Sequence, residues 1–318
     1  MFKGSFVALI TPFRRDGKID EKAFQSFVDW QIREGTDALV PVGTTGESPT
    51  LSHAEHKRVV ELCIEAAKGR RPVIAGAGSN STDEAIELTK HAKKAGADAV
   101  LSVTPYYNKP TQDGMYAHFK AIAECADIPV IIYNIPPRSV VDMTVQTMAR
   151  LAKIKNIVGV KDSTADLARP TRTKLACGDK FSMLSGEDGT ALAFLASGGH
   201  GCISVTGNVA PKLCAEMHKA WAKGDIKTAQ RINETLMPLH EALFCETSPA
   251  PVKYAANLLG LCEDAVRLPM VAASENARQR VREAMSGVGP LNEGARQDRK
   301  STRLNSSHIQ KSRMPSSA

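Results

Sequence analysis

Lys161 is the residue whose type and surroundings point most directly to chemistry. It lies in residues 158–163, Val-Gly-Val-Lys-Asp-Ser, where a buried strand is expected to end. Burial disfavours the charged ammonium of a lysine, and the neutral amine is the form that attacks a carbonyl carbon to give a Schiff base. A lysine in such a place can also extend to solvent or pair with the neighbouring Asp162. By itself, the position leaves covalent catalysis and a structural role equally open.

Residues 43–48, Gly-Thr-Thr-Gly-Glu-Ser, are a candidate anion-binding turn. The two glycines allow a ligand to approach the backbone closely, and the N–H groups and hydroxyls of a turn that enters a helix bind a carboxylate well. The alternative is a tight connection in which threonine and serine only cap the next helix.

Two other segments carry tyrosine and arginine side chains. Tyr133 can donate and accept a proton, and Arg138 can clamp a carboxylate in bidentate fashion. The alternatives are a tyrosine that caps the core and an arginine solvated in a loop. Tyr106 and Tyr107 are adjacent on an extended backbone, so one can face a site while the other faces away. Aromatic packing at an interface explains that pair equally well.

Short segments rich in valine and isoleucine recur through the first two thirds of the chain, and their nearly continuous hydrophobicity predicts parallel strands buried on both faces. These segments are residues 5–12, 38–43, 72–78, 99–105, 129–136, 157–163, 181–188 and 201–208. Helical patterns alternate with them, so the fold is either a barrel or a doubly wound sheet. The sequence has no GxGxxG after the first strand, and polar residues follow several different strands. Both observations favour an α/β fold of the (β/α)8 TIM-barrel type.

After residue 210 the strand pattern gives way to helical patterns over residues 211–222, 225–245, 249–260 and 274–285. We therefore predict three parts: a catalytic barrel over residues 1–224, a C-terminal helical domain over 225–292, and a disordered or non-native tail over 293–318. The tail is rich in serine and lacks apolar periodicity. Its six basic and two acidic residues account for four of the seven net positive charges. Because the remainder is nearly neutral and the tail lacks interleaved aromatics, we expect no nucleic-acid binding.

The cysteines and the hydropathy pattern bear on the compartment. Seven scattered cysteines without a Cys-x-x-Cys pair indicate free thiols rather than disulfides or a zinc site. The apolar N-terminal run is too short for a secretory signal, and no segment approaches the ~18 apolar residues of a membrane span. These features predict a cytoplasmic protein that does not insert into a membrane.

Four motifs occur in order at the ends of the second, fourth, fifth and sixth predicted strands: residues 43–48, 104–110 (TPYYNKP), 133–139 (YNIPPRS) and 158–163. With them, the chain resembles the dihydrodipicolinate synthase (4-hydroxy-tetrahydrodipicolinate synthase) family over residues 1 to about 290. That family lies within the superfamily of N-acetylneuraminate lyase and the class I Schiff-base aldolases. The combination is far more specific than any single motif, and it favours the catalytic interpretation of Lys161.

The resemblance implies a mechanism. Pyruvate forms a Schiff base with Lys161, the enamine attacks the aldehyde of L-aspartate 4-semialdehyde, and cyclisation by the substrate's amino group releases the lysine. This lyase reaction belongs to lysine biosynthesis through diaminopimelate. It needs no metal or other cofactor, because the imine itself is the electron sink.

The resemblance also implies roles for other residues. Thr44, Tyr133 and Tyr107 match the proton relay, with Tyr107 reaching the neighbouring subunit's site in a homotetramer built as a dimer of dimers. Arg138 matches the residue that holds the semialdehyde's carboxylate. The positions around pyruvate are Thr45 and the backbones of Gly186 and Ile203.

Some members of the family are inhibited by L-lysine at a subunit interface. The corresponding positions here are Ser48, His53, His56, Asn80, Glu84 and Tyr106. A structural explanation is also available, in which Glu84 completes a capping box with Ser81 and the two histidines lie on an exposed helix face. Pro49 and Ser81 stand where inhibited members often have alanine, so the sequence leaves inhibition open.

Two other functions fit part of the pattern. N-acetylneuraminate lyase or a 2-keto-3-deoxy sugar acid aldolase would share Lys161, Tyr133 and the 43–48 turn. Arg138 and the tyrosine pair favour the synthase, because an arginine suits a short second carboxylate better than a polyhydroxylated chain. A non-catalytic metabolite-binding homologue would keep the pocket, but the intact set of Thr44, Tyr107 and Tyr133 argues against it.

Overall fold

The structure, a computed structural model, describes residues 1–288. The predicted tail over residues 293–318 lies outside these residues. Within them, no helix is both long and apolar enough to cross a membrane.

Eight parallel strands form the centre of the molecule. They are β1 (Gly4–Ala8), β2 (Ala38–Val40), β3 (Ile74–Gly76), β4 (Ala99–Val103), β5 (Val130–Asn134), β6 (Ile157–Asp162), β7 (Ser182–Ser185) and β8 (Gly201–Ser204). The strand order is β2-β1-β8-β7-β6-β5-β4-β3. A bridge between Leu39 and Val73 links the two end strands, with the Leu39 N–H donating to the Pro72 carbonyl at 2.9 Å. The sheet therefore closes into the predicted barrel.

Every observed strand overlaps its predicted segment, and all eight end earlier than predicted. Strand β2, for example, stops at Val40, and β8 stops at Ser204. The apolar pattern continues into residues that leave the sheet, because the connections at this end of the barrel are themselves buried.

Side-chain alternation divides the apolar residues into two clusters. On β5, Ile131 and Tyr133 belong to a small cluster inside the barrel, whereas Val130 and Ile132 pack in the larger cluster under the helices. In β6, Lys161 is the register partner of Tyr133. Because residues paired across parallel strands point to the same face, Lys161 also faces the barrel interior.

Helices alternate with the strands and continue after them. The helices are α1 (Glu21–Arg33), α2 (His53–Ala67), α3 (Thr82–Ala95), α4 (Gln112–Cys125), α5 (Pro136–Ser139), α6 (Val145–Leu151), α7 (Arg169–Cys177), α8 (Ala191–Ala196), α9 (Pro211–Ala222), α10 (Ile226–Leu243), α11 (Ala250–Leu258) and α12 (Glu275–Gly287). The last four overlap the four predicted C-terminal helices, and the predicted fold class is confirmed. The domain boundary at residue 224 stays a prediction.

Capping side chains explain where helices begin. Ser52 and Glu55 form a reciprocal capping box at the start of α2. At α3 only half of the predicted box is present, since Ser81 accepts from the Glu84 N–H while the Glu84 carboxylate bonds elsewhere. The box is incomplete because His53 and Ser79 bind the Glu84 carboxylate instead.

Candidate active site

Lys161 lies one residue before the end of β6, with Tyr133 of β5 and Leu184 of β7 as its register partners. Only 6% of its surface is exposed. Its Nζ lies 4.2 Å from the centre of the Tyr133 ring. Within residues 1–288, Lys161 Nζ makes neither a hydrogen bond nor an ion pair. The amine is therefore buried at the strand end, against an aromatic ring and without an ion-pair partner among the described residues.

A cavity of about 280 Å³ opens at the mouth of the barrel around this amine. Six predicted catalytic or substrate-binding residues line it together: Thr44, Thr45, Tyr133, Arg138, Lys161 and Gly186. They come from the ends of β2, β5, β6 and β7 and from α5, and are far apart in sequence. The cavity therefore brings a nucleophile, three hydroxyl groups and a guanidinium to one small volume.

Gly186 has a steric reason to be glycine. A Cβ atom built on it would collide with Ser163 Oγ and would lie 2.9 Å from Lys161 Cε. The Gly186 N–H donates to the Asp162 carbonyl at 2.8 Å, which fixes the turn after β7 against β6. The missing side chain thus leaves room for the lysine to reach the cavity.

Glu187 is a cavity residue that the sequence analysis did not identify. Burial raises the pKa of its carboxyl group, and the charges of Lys161 and Arg138 act in the opposite direction. Ser185 holds the backbone here, since its Oγ accepts from the Glu187 N–H at 3.1 Å and donates to the Glu187 carbonyl at 3.0 Å. An acidic residue directly after an apolar strand segment was the available signal.

The C-terminal part of the chain also contributes to the cavity. Phe244 and Ser248, between α10 and α11, lie in its wall. No pattern in the sequence pointed to them, because their approach to the barrel mouth depends on how the last helices pack.

Two predicted site residues lie outside the cavity wall. Tyr107 is 88% exposed, and its φ of 71° puts a bulky residue in the left-handed region. Ile203 is fully buried in the interior cluster of the barrel, and Val205 lines the cavity on that side. The roles assigned to Tyr107 and Ile203 stay predictions.

A second cavity, of about 450 Å³, lies beside the first. Five of the six predicted inhibitor-site residues line it: Ser48, His53, His56, Glu84 and Tyr106. Pro49 is also in its wall. Asn80, the sixth, donates its side-chain amide to the Tyr106 carbonyl at 3.1 Å. Asn80 therefore supports the loop that carries Tyr106 without itself forming the wall.

The Glu84 carboxylate organises this second cavity. One oxygen lies 2.6 Å from His53 Nε2, and the other accepts a hydrogen bond from Ser79 Oγ. These bonds lower the pKa of Glu84, with Ser79 the largest cause. Burial lowers the pKa of His56 to about 4. The wall thus presents a carboxylate and a neutral His56 at neutral pH.

The two cavities share part of their walls. Thr44, Ile135 and Arg138 line both. These three side chains therefore form a boundary common to the two cavities.

Comparisons with known proteins agree on one family. The dihydrodipicolinate synthetase family matches residues 1–287. A curated relative from Rhodospirillum centenum, named 4-hydroxy-tetrahydrodipicolinate synthase, is 66% identical over 291 residues, covering 92% of this chain and all of that protein. A protein of the same name from Bradyrhizobium diazoefficiens is 64% identical and covers 92% of this chain and 98% of the relative.

Solved structures give the same result. The chloride-inhibited dihydrodipicolinate synthase of Acinetobacter baumannii, in complex with pyruvate, is 47% identical with a TM-score of 0.89, covering 91% of this chain and 99% of that one. The enzyme from Cyanidioschyzon merolae with lysine bound is 40% identical with a TM-score of 0.88, covering 91% and 98%. The shared fold thus extends over nearly the whole of both proteins.

Proposed function

The chain belongs to the dihydrodipicolinate synthetase family and catalyses the formation of 4-hydroxy-tetrahydrodipicolinate from pyruvate and L-aspartate 4-semialdehyde; we propose that Lys161 is its Schiff-base nucleophile. The observation that carries this assignment is the position of the amine, which is buried, lacks an anionic partner and faces the 280 Å³ cavity. Such an amine can attack the ketone carbon of pyruvate, the adduct loses water to give the imine, and loss of a proton from the methyl carbon gives the enamine.

The residues around the lysine have complementary roles in this proposal. Thr44 and Tyr133 carry protons to and from the hydroxyl that leaves when the imine forms, since both side chains line the cavity with Lys161. Thr45 and the backbone at Gly186 and Ile203 surround the pyruvate. Arg138 holds the carboxylate of the semialdehyde as a bidentate donor.

Glu187 extends this set. The semialdehyde carries an ammonium group as well as a carboxylate, and the ammonium must lose a proton before its nitrogen can attack the imine carbon in the cyclisation. A cavity carboxylate whose pKa is raised by burial is suited to hold that ammonium and take the proton. We therefore assign Glu187 to the amino end of the second substrate.

Reductive trapping tests the nucleophile. Borohydride reduction in the presence of pyruvate should leave a pyruvate-derived adduct on Lys161, located by peptide mass spectrometry, and an assay with L-aspartate 4-semialdehyde should show condensation. An adduct without condensation would support a sugar-acid lyase instead. The absence of any adduct would rule out the Schiff-base mechanism.

We propose that the enzyme is a homotetramer, a dimer of dimers, in which Tyr107 completes the neighbouring subunit's site. Its 88% exposure and left-handed backbone suit a side chain that a second chain covers. Complementation tests this. Co-expressed Lys161→Ala and Tyr107→Phe chains should form mixed dimers in which one site has both native residues, so activity should exceed the sum of the separate variants. No gain from mixing would place Tyr107 outside the partner's site.

We propose that L-lysine binds in the second cavity and inhibits the enzyme. The Glu84 carboxylate is suited to the ligand's ammonium group, and the shared wall of Thr44 and Arg138 provides a route to the first cavity. In Glu84→Gln, inhibition by lysine should weaken by about 10-fold or more, since a charge-assisted bond is lost. Glu87→Gln is the matched control, because Glu87 lies on the same helix but pairs with Lys57. Equal inhibition of both variants and wild type would contradict the assignment.

A further inference from the structure

A second buried lysine, Lys253 on α11, takes no part in the chemistry described above. Its side chain is fully buried, and its Nζ lies 2.5 Å from Glu47 Oε1. The same ammonium donates to the Ala265 carbonyl at 2.7 Å and lies 4.0 Å from the centre of the Phe13 ring. Burial lowers the pKa of Lys253 and the Glu47 carboxylate opposes this shift. The cost of desolvating two buried charges offsets much of their attraction, so a contribution to the stability of the fold does not by itself explain this ion pair.

Glu47 ends the turn that carries Thr44 and Thr45. Its N–H donates to the Thr44 carbonyl at 3.1 Å, which couples the two residues directly. The turn is strained at both ends, because Val42 has a φ of 52° and Glu47 a φ of 56°. A β-branched residue in the left-handed region is an outlier, and such strain persists only where the surroundings fix it.

The second oxygen of Glu47 is also held by the C-terminal part of the chain. Glu47 Oε2 accepts from the Arg267 N–H at 3.0 Å. The Arg267 guanidinium in turn donates to the Thr50 carbonyl at 2.8 Å and to the Glu55 carboxylate at 2.6 Å. The segment that contains Lys253 and Arg267 therefore binds the chain at Glu47, the strained end of the turn, and at Thr50 and Glu55 just after it.

We propose that Lys253 is a positioning residue for the reaction: through its ion pair with Glu47 it holds the turn of residues 42–47 in the conformation that presents Thr44 and Thr45 to the Lys161 cavity. This inference rests on the proposed roles of Thr44 and Thr45. Lys253 itself is absent from the cavity wall, so its effect must pass through Glu47 and the backbone.

The first experiment compares Lys253→Met with Lys227→Met, the same change at an exposed position of α10. We expect kcat to fall by about 10-fold or more in Lys253→Met, because small displacements of catalytic groups have effects of this size. Lys227→Met should match wild type. A kcat within about twofold of wild type for Lys253→Met would overturn the proposal.

A double-mutant cycle with Thr44→Val separates positioning from general destabilisation. If Lys253 acts by placing Thr44, adding Lys253→Met to Thr44→Val should lower kcat much less than it does in wild type. An equal factor in both backgrounds would mean that Lys253 only stabilises the fold, which also overturns the proposal.

Two further measurements make the outcome decisive. If Lys253→Met does not fold, the double variant Glu47→Gln/Lys253→Met replaces it in the double-mutant cycle. The double variant removes both charges and therefore leaves no unpaired buried ion. Borohydride trapping of pyruvate by wild type is measured in parallel. Failure to label Lys161 there would disprove the proposed function, whereas labelling with an unchanged kcat in the Lys253 variants would disprove this inference alone.

Discussion

Two lysines are buried among residues 1–288, Lys161 and Lys253, and their surroundings differ in the two respects that decide what an amine can do. Both lie over an aromatic ring, with Nζ 4.2 Å from the Tyr133 centroid and 4.0 Å from the Phe13 centroid. Lys253 has a carboxylate at 2.5 Å and lies outside the cavity walls, whereas Lys161 opens on a cavity and has no anion within ion-pair distance among residues 1–288.

The difference shows that burial alone does not make a lysine reactive. A carboxylate in contact stabilises the charged form, and the absence of adjoining space prevents a ketone from reaching the nitrogen. Lys161 differs in both respects, because it lines a cavity that a ketone can enter and has no carboxylate in contact. The aromatic ring, which the two sites share, does not distinguish them.

The largest effect that would test this comparison is the loss of catalysis in Lys161→Ala. We expect kcat to fall by at least about 10³-fold, since the covalent step is lost. The melting temperature should stay equal to that of wild type or rise, because no buried anion is left unpaired. Steady-state kinetics and calorimetry measure the two. A Lys161→Ala variant that loses stability but keeps its activity would show that Lys161 has a structural role and not a catalytic one.

Selective labelling compares the two amines in one protein. Pyruvate with borohydride should modify Lys161 nearly completely and leave Lys253 unmodified in the folded enzyme, because Lys161 lines the 280 Å³ cavity whereas the Lys253 side chain is fully buried. Quantitative peptide mass spectrometry gives both values. Labelling of Lys253 to a similar extent would show that access does not separate them.

Gly186→Ala tests the space around Lys161. The new Cβ would collide with Ser163 Oγ and crowd Lys161 Cε, so we expect the rate of adduct formation to fall by about 10- to 100-fold. Removing the obstructing hydroxyl in Gly186→Ala/Ser163→Ala should restore part of that rate. If the single variant traps pyruvate at the wild-type rate, the space around the lysine is not limiting.

Glu187→Gln tests the carboxylate that lines the Lys161 cavity. Because Glu187 is assigned to the second substrate, KM for L-aspartate 4-semialdehyde should rise by about 10-fold while KM for pyruvate changes little. Separate substrate titrations measure this. An increase in both KM values would place Glu187 at the pyruvate instead.

The smallest expected effect concerns the ion pair between Arg267 and Glu55, which lies next to the Glu47–Lys253 pair because the Arg267 N–H also binds Glu47. Hydrogen bonds from Arg267 lower the pKa of Glu55 from 4.5 to about 2. A carboxylate with a depressed folded-state pKa stabilises the protein above its unfolded-state value, and that contribution is lost as pH falls toward the folded-state value. The melting temperature of Glu55→Gln should therefore lie a few degrees below wild type at pH 7, and the gap should narrow below pH 4.5. A gap independent of pH would show that the charge of Glu55 contributes nothing.

The strand segments, the four C-terminal helices and six of the cavity residues could be predicted from the sequence. Each depended on a local pattern: apolar runs for the strands, helical periodicity for α9 to α12, and motifs at strand ends for Thr44, Tyr133 and Lys161. Glu187 had a local signal, since it is an acidic residue near the end of the apolar segment 181–188. Phe244 and Ser248 had none, because they reach the cavity only through the packing of α10 and α11.

Glu84 shows how tertiary contacts override a local rule. The spacing of Ser81 and Glu84 predicts a reciprocal capping box, and in isolation the carboxylate would have the Ser81 N–H as its nearest partner. In the folded protein, His53 at the start of α2 and Ser79 in the loop after β3 lie next to the Glu84 carboxylate and bind it instead.

The sequence by itself determined the barrel, the place of Lys161 at a strand end and six of the side chains at its mouth, because strand periodicity and strand-end motifs are local properties. Only the tertiary structure decided which buried lysine has a counter-ion. Glu47 and Lys253 are separated by more than two hundred positions in the chain, and their contact depends on the C-terminal helices packing against the turn after β2. The charge state and freedom of an amine depend on neighbours that the fold supplies, and no local pattern encodes them.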